Sequence, residues 1–281
     1  MKRLRIEHET GFSYGGDVSA SYNEARMLPG TTDSQFVLSS SLDIEPSTSV
    51  NSYVDYFDTR VSSFDVLSPH RALRITARSL VEVRPRPIEH TGISWDRLRV
   101  ETERGIETIE QLGQTHRTRP HPEVAEIASS IASRHDDPGR AAHDICVAIG
   151  EAVEYMHGVT AVTSTAVEAW EARKGVCQDM AHIALGALRS VGIPARYVSG
   201  YLHPKPQAEI GAPVTGESHA WVEWFAGDWA GFDPTNNIEI GDRHVLVGRA
   251  RDYNDVPPLR GVYAGPFKSN LHVKVTITRE A

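Results

Sequence analysis

Residues 1–90 alternate apolar and polar side chains with the period of two that is typical of β-strands. The alternation is clearest in four segments that are rich in Val, Ile, Thr and Tyr, namely residues 4–14, 35–46, 60–70 and 72–85. Clusters of Gly, Pro and Ser separate these segments, as at Pro29-Gly30-Thr31. Regular short strands with such turns predict a sandwich-like or barrel-like β-rich domain.

The pattern changes in the second half of the chain, where apolar residues recur at helical spacing from Pro122 onward. Four helices are predicted, over residues 122–135, 139–156, about 165–173, and from Cys177 to Gly192. Strands are predicted after them, at residues 195–202, 218–225 and 271–278. The chain therefore reads as an α+β protein with a β-rich N-terminal domain (1–115) and a core of helices packed on an antiparallel sheet (116–281).

The two cysteines of the chain occupy different positions in this pattern. Cys146 lies within a predicted helix beside the apolar stripe, which is typical of a buried structural cysteine. Cys177 follows Lys174-Gly175 and begins its helix ahead of the apolar stripe. The N–H groups and dipole of a helix N-terminus favour a thiolate, so Cys177 is the candidate nucleophile.

A predicted hairpin brings a histidine and a carboxylate together. His219 opens the strand of residues 218–225, and Asp233 ends the returning strand. With a three-residue loop at 226–228, Phe225 pairs with Trp229, and Asp233 lies diagonal to His219 on the same face. A two-residue loop would place Asp233 on the opposite face.

A carboxylate beside an imidazole fixes the tautomer and stabilises the imidazolium, which is the orienting role in a nucleophile–base–orienter set. Cys177, His219 and Asp233 are the candidates for these roles. Asp179 could stabilise the start of the helix. Trp221 lies on the same strand face as His219 and could line one side of the site. A metal site formed by Cys177, His182 and His219 is the alternative, although this spacing matches no familiar zinc pattern.

The net charge of −8 gives no reason to expect nucleic-acid binding. No apolar run approaches the roughly 18 residues that a membrane span requires, so no membrane association is expected. Two cysteines do not make a disulfide framework, and we expect a cytoplasmic location. The sequence does not indicate an oligomeric state.

Two long segments carry a resemblance to a known family. GVCQDMAHIALGALRSVGIPARYVSGYL (175–202) and SHAWVEWFAGDWAGFDPTNN (218–237) resemble transglutaminase-like proteins, with a Cys at a helix start, a His opening a strand and an Asp before Pro-Thr. SYNEARMLP (21–29) and RDYNDVPPLRGVY (251–263) resemble the bacterial members that add a β-rich N-terminal region. The resemblance therefore covers nearly the whole chain.

The resemblance implies a papain-like α+β core and a catalytic triad of Cys177, His219 and Asp233. It implies attack of the thiolate on an amide or peptide carbonyl to give a thioester, with the Cys177 backbone N–H as an oxyanion donor and Gln178 as a further candidate. Hydrolysis of a protein, peptide or amide substrate is the leading interpretation. Transfer to an amine and a non-catalytic binding module are the alternatives. No cofactor or metal is expected.

The segment between the predicted strands, residues 203–217, is rich in Pro and Gly and predicts a loop without regular structure. It is long for a connection inside a compact domain, and such loops are often lids or binding loops. Because it leads directly into the strand that carries His219, its C-terminal end is expected beside the active site. The hypothesis is that this loop borders the substrate cleft.

Overall fold

The computed structural model describes residues 1–85 and 92–281. In its N-terminal part, alternating side chains form strands as the sequence predicts. These strands are β1 (Lys2–Val18), β2 (Ala20–Ala25), β3 (Gln35–Glu45), β4 (Val50–Val54), β5 (Arg60–Val66) and β6 (His70–Val83). β2 and β4 were not among the predicted segments.

These strands belong to two antiparallel sheets that pack on a shared core. One sheet has the order β10 (Pro213–Gly216), β16 (Ser269–Arg279), β1, β6, β3, and the other has the order β15 (Leu259–Ala264), β2, β5, β4. The core between them takes Leu73 and Ile75 from the first sheet and Phe64 and Val66 from the second, all at most 2% exposed. The predicted β-rich, sandwich-like N-terminal region is confirmed.

The chain closes on this same region. β15 (Leu259–Ala264) pairs with β2, and β16 (Ser269–Arg279) pairs with β1 along its whole length. The expected closing strand at 271–278 is therefore present, as part of a longer strand. A domain boundary at residue 115 stays a prediction, and these last strands lie in the N-terminal sheets.

The helices begin earlier than the sequence pattern indicated. They are α1 (Trp95–Arg104), α2 (Ile106–Glu110), α3 (Pro122–Ala132), α4 (Pro138–Ala152), α5 (Ala166–Ala172) and α6 (Cys177–Ser190). α1 and α2 were not predicted because few of their residues form an apolar stripe: Leu98 and Thr102 are the buried residues of α1. α4 ends at Ala152, short of the predicted end at 156, and Glu154–Tyr155 instead forms strand β7, which pairs with β8 (Lys174–Gly175).

A third antiparallel sheet carries the candidate site. Its order is β13-β12-β11-β9-β14, from β9 (Ala195–Leu202), β11 (Ser218–Phe225), β12 (Trp229–Asp233), β13 (Ile238–Glu239) and β14 (His244–Ala250). Helix α6 packs on this sheet, and most of its residues are buried. Each fully buried aliphatic side chain in such a core contributes roughly 1.5–3 kcal/mol. This burial fixes the start of α6 relative to β11.

The sandwich and the α+β core share an apolar contact. Leu4 and Ile277 of the sandwich pack with Tyr201 and Val245 of the core sheet, all at most 2% exposed. The Gln35 side chain adds two hydrogen bonds to the backbone of Leu246, both under 3 Å. None of the described helices is long and apolar enough to cross a membrane.

Candidate active site

Helix α6 begins at Cys177, as predicted, and its first turn is braced by Asp179. The Asp179 Oδ2 accepts hydrogen bonds from the Val176 N–H at 2.8 Å and from the Thr160 hydroxyl at 2.6 Å. Burial raises the pKa of Asp179, while these hydrogen bonds oppose the rise. The expectation that Asp179 stabilises the helix start is confirmed. The thiol of Cys177 is thereby held at a helix N-terminus, where a negative charge is favoured.

The two cysteines differ in environment. Cys146 is fully buried in the core of the helical region, and burial raises the pKa of its thiol. Cys177 is partly exposed and lines a cleft. A buried neutral thiol is a poor nucleophile, because the thiolate is the reactive form.

The β11–β12 hairpin has the predicted register. Phe225 pairs with Trp229 across residues 226–228, and Val222 pairs with Phe232. This register places Asp233 on the same face as His219, and the His219 Nε2 lies 2.7 Å from the Asp233 Oδ2. The three-residue loop is therefore confirmed, and the two-residue alternative is wrong.

His219 is hydrogen-bonded to Asp233 through its Nε2, and the Cys177 thiol lies close enough to the same imidazole to influence its pKa. Because Nε2 faces Asp233, the Nδ1 is the ring nitrogen available to the thiol. Burial alone would lower the pKa of His219, but the hydrogen bonds and charges of Asp233 and Cys177 raise it to about 10. The imidazole is therefore held in its cationic form at neutral pH.

The Asp233 carboxylate is fully buried and fully hydrogen-bonded. Its Oδ1 accepts from the backbone N–H groups of Thr235 and Asn236, at 3.0 and 3.2 Å. Its Oδ2 accepts from His219, from the Asn236 side-chain amide at 2.8 Å and from the His244 Nε2 at 3.3 Å. Burial would raise the pKa of Asp233, but the hydrogen bonds from the two histidines hold it well below its ordinary value.

His244 is a part of the site that the sequence did not indicate. It is buried on β14, and its Nδ1 accepts a hydrogen bond from the Gly241 N–H at 3.2 Å. The proton of a neutral imidazole must then be on Nε2, which donates to Asp233. Burial lowers the pKa of His244, which favours this neutral tautomer. No strand was predicted at residues 244–250, and the alternation pattern does not show how the chain folds back from β12 to bring His244 to Asp233.

Trp221 lies beside both histidines, as its position on the His219 face suggested. Its ring centroid is 6.2 Å from that of His219 and 5.4 Å from that of His244. A Cβ at Gly200 would approach the Trp221 ring to 2.6 Å and the Val245 carbonyl oxygen to 2.1 Å. Glycine at this position therefore leaves the space that the indole occupies beside the two histidines.

The structure does not bring the alternative metal ligands together. His182 is buried away from the thiol, and its Nε2 accepts from the Tyr253 N–H at 3.2 Å. Among the described residues, the group with metal-like spacing is His219, Asp233 and His244, whose ligand atoms lie within 4.8 Å of one another. Hydrogen bonds between the histidine nitrogens and Asp233 account for this spacing.

The Gln178 side chain lines the cleft, but its Nε2 donates to the Val162 carbonyl at 3.1 Å. Its amide is therefore already engaged, and a role in an oxyanion site stays a prediction. Tyr155 lies close enough to Cys177 for the two charges to interact. Burial, with the charges of Cys177 and Glu217, raises the pKa of Tyr155.

The cleft at Cys177 has a volume of about 470 Å³. It is lined by the start of α6 and by residues from β7, β9, β11 and β16. Thr215, Gly216 and Glu217 also line it, so the end of the 203–217 segment borders the cleft as predicted. That segment is not wholly irregular: residues Pro213–Gly216 form strand β10, which pairs with β16. The prediction of a loop throughout was wrong because pairing with a distant strand imposes regular structure there.

Two parts of the chain match known families. Residues 4–82 match the bacterial transglutaminase-like N-terminal region, and residues 125–234 match the transglutaminase-like superfamily. An uncharacterized protein of Mycobacterium leprae is 39% identical over the full length of both chains. An uncharacterized protein of Mycobacterium tuberculosis is 32% identical over 98% of this chain and 92% of its own. The chain belongs to the transglutaminase-like superfamily, in the bacterial group with this N-terminal region.

A solved structure is similar over nearly the whole chain. It is a protein of Cytophaga hutchinsonii proposed to be a cysteine protease, with a TM-score of 0.74 and 18% identity over 99% of this chain and 97% of its own. This likeness confirms the papain/transglutaminase-like α+β fold. A protein-glutamine gamma-glutamyltransferase of Pseudomonas aeruginosa is 33% identical over 102 residues, 32% of this chain and 15% of that enzyme. The family is thus one of cysteine-based acyl transfer and proteolysis.

Proposed function

We propose that this protein is a cysteine hydrolase that cleaves amide or peptide bonds through a thioester on Cys177. His219 is the general base and acid, and Asp233 orients it. The observation that carries the proposal is that His219 lies between the Cys177 thiol, which influences its pKa, and the Asp233 carboxylate, to which it is hydrogen-bonded, beside an open cleft. Three features support these roles: the thiol lies at a helix start, the imidazole lies between the thiol and the carboxylate, and the carboxylate is buried.

The reaction proceeds in two balanced steps. The Cys177 thiolate attacks the carbonyl carbon, and the C–N bond breaks as the His219 imidazolium gives its proton to the leaving amine. The neutral imidazole then takes a proton from water, and the hydroxide attacks the thioester. The C–S bond breaks to give a carboxylic acid and the free thiolate, with His219 protonated again.

Developing charge on the substrate oxygen needs hydrogen-bond donors. The backbone N–H of Cys177 is the first donor that we propose, because it lies at the start of α6 and has no partner within its own helix. Gln178 serves as a donor only if its amide leaves the Val162 carbonyl.

Hydrolysis is favoured over amine transfer because water is far more concentrated than any amine. Transfer requires a site that keeps water out while it holds the acceptor. The mouth of the cleft instead carries Glu217, whose side chain is 64% exposed, and the exposed Tyr155. A binding module without chemistry is disfavoured because such a module has no use for a hydrogen-bonded thiol, imidazole and buried carboxylate.

Trapping of the acyl-enzyme tests the proposal. The protein is mixed with a peptide library, quenched in acid and digested, and the mass added to the Cys177 peptide is measured. We expect acyl adducts on Cys177 that disappear in the Cys177→Ala variant and persist in Cys146→Ala. Added hydroxylamine or a lysine analogue then separates the outcomes: products made mainly by the amine would assign transfer, and a protein that never acylates would leave only the binding module.

A further inference from the structure

Strand β16 is covered along only part of its outer edge. On one side β1 pairs with it from Ser269 to Arg279, whereas on the other side β10 pairs only with Val275–Thr278. Within residues 1–85 and 92–281, no strand pairs with the outer edge of residues 269–274. Alternate backbone N–H and C=O groups on that edge are therefore open to another strand.

This free edge leads into the candidate active site. Val273 and Lys274 line the same cleft as Cys177 and His219. β10 ends at Gly216, and the chain then enters β11, which carries His219. The protein's own chain thus occupies the β16 edge up to the cleft and leaves the edge free where the cleft begins.

One face of this part of β16 carries apolar, exposed side chains, whereas Asn270, His272 and Lys274 on the other face are polar. Leu271 and Val273 lie on the same face as Val275 and Ile277, because side chains alternate along a strand. Val275 and Ile277 are each 1% exposed, whereas Leu271 is 59% exposed and Val273 is 52% exposed. The apolar face of the strand therefore continues beyond its covered part. Proteins usually protect a free edge with charges or an irregular backbone. Residues 269–274 carry a single charged side chain, Lys274, and their exposed apolar face beside the cleft suits a partner strand.

We propose that an extended segment of a polypeptide substrate adds as a strand to the outer edge of β16 at residues 270–274. There it continues the line of β10, and its alternate side chains pack on Leu271 and Val273. Backbone hydrogen bonds of this kind give affinity with little dependence on sequence, while the face of the strand selects apolar side chains. The proposal rests on the function proposed above and makes the substrate an extended polypeptide rather than a small amide.

The test uses a peptide electrophile as the probe. The probe is a six-residue peptide of alternating Val and Thr with a C-terminal diazomethyl ketone, which alkylates a reactive thiol. Two further probes carry the same side chains. One has N-methyl groups on the odd-numbered backbone amides, and the other has them on the even-numbered ones. Labelling rates of Cys177 are measured by mass spectrometry and divided by the rate with iodoacetamide, which needs no strand contact.

We expect one N-methylated probe to react about tenfold more slowly than the parent, because it loses the hydrogen bonds that face β16, and the other to react like the parent. Equal rates for all three probes, or equal losses in both N-methylated probes, would overturn the proposal.

In Leu271→Lys the ratio of peptide labelling to iodoacetamide labelling is expected to fall about tenfold. Phe36→Lys is the matched control, because Phe36 is 56% exposed on β3, the other edge of the same sheet.

The design separates this proposal from the function on which it rests. If iodoacetamide labels Cys177 no faster than Cys146, the nucleophile itself is wrong. If Cys177 reacts selectively but shows no preference for the unmodified strand probe, only the strand-addition proposal fails. Sedimentation of both variants tests whether a second copy of the chain, rather than a substrate, occupies the β16 edge. A dimer that dissociates in Leu271→Lys and persists in Phe36→Lys would show self-association through this edge and would overturn the proposal.

Discussion

The Asp233 carboxylate shows how individual residues define the site. Its Oδ2 accepts from three side chains and its Oδ1 from two backbone N–H groups. A buried carboxylate costs free energy unless such donors satisfy it, and here the donors also fix where it points. The negative charge is therefore held beside the His219 Nε2, which leaves the Nδ1 free of the carboxylate.

The first prediction concerns the reactivity of the two cysteines. Near pH 6, iodoacetamide should label Cys177 at least about a hundredfold faster than Cys146, because His219 is protonated there and stabilises a thiolate, whereas Cys146 is a buried neutral thiol. Timed quenching and peptide mapping give both rates. Equal rates, or faster labelling of Cys146, would contradict the assignment of the nucleophile.

Asp233→Asn is predicted to retain the fold and lose most of the activity. An amide at this position cannot stabilise the imidazolium and can favour the wrong tautomer of His219, and in a Ser-His-Asp triad the comparable change costs about 10⁴-fold in kcat. We expect a loss of several orders of magnitude in kcat, with an unchanged circular dichroism spectrum. A kcat within a few-fold of wild type would mean that another residue orients His219.

His244 is predicted to act as a positioning residue through Asp233. In His244→Leu the carboxylate loses one donor, so its pKa rises and the acid limb of the kcat/KM profile moves to higher pH, with kcat about tenfold lower. His244→Gln can keep a donor and should recover much of the loss. A purely structural role would lower the amount of folded protein without moving the acid limb, and that result would remove His244 from the site.

At the scale of elements, the β11–β12 hairpin could be predicted from local sequence, whereas strand β10, in the segment before it, depends on a distant partner. The β11–β12 register follows from local alternation and a three-residue loop, so the sequence was sufficient to place Asp233 near His219. β10 exists only because β16 lies beside it, and its partner residues are about 60 positions away. The sequence of residues 203–217 alone therefore could not predict strand β10.

The segment from Lys205 to Ala212 is predicted to influence substrate use rather than thiol reactivity. It precedes β10, and the residues that follow it line the cleft. Replacing it with a Gly/Ser linker of equal length should change kcat/KM for a peptide substrate more than about fivefold and change alkylation of Cys177 less than twofold. Wild-type values for both would mean that the segment has no part in substrate choice.

At the scale of the whole molecule, the local patterns did not predict that the two ends of the chain pair in one sheet. The alternation at 271–278 predicted a strand but not its neighbour, and β16 pairs with β1 at the opposite end of the sequence. His244 was missed for a different reason, since no strand was predicted at residues 244–250 and the return of the chain from Asp233 to His244 follows from no local alternation. The strongly periodic elements and the local hairpin could be predicted from the sequence, whereas elements with a weak apolar pattern, such as α1 and β2, and the long-range pairing could not.

Long-range pairing also builds a buried charge cluster that ties distant segments together. Glu223 on β11 lies between Arg196 of β9 and Arg249 of β14, with closest nitrogen–oxygen distances of 2.6 and 2.7 Å. Arg196 also pairs with Glu107 of α2 and stacks on the Trp229 ring at 3.7 Å. Removing one partner of such a cluster leaves buried charge without compensation, which is strongly destabilising.

Glu223 is therefore predicted to set part of the acid stability of the fold. Burial would raise the pKa of Glu223, but the two arginines lower it to about 2. Because the folded pKa lies below the unfolded value of about 4.3, the stabilisation is present above that value and is lost as pH falls toward 2, by about 3 kcal/mol.

Urea unfolding at pH 7, 5 and 3 should show Glu223→Gln less stable at pH 7 and less sensitive to acid than wild type. Asp17→Asn, in an exposed pair with Arg71, is the control and should follow the wild-type profile. A Glu223→Gln protein that loses as much stability as wild type between pH 5 and 3 would place the acid sensitivity elsewhere, with Asp233 as the next carboxylate to test.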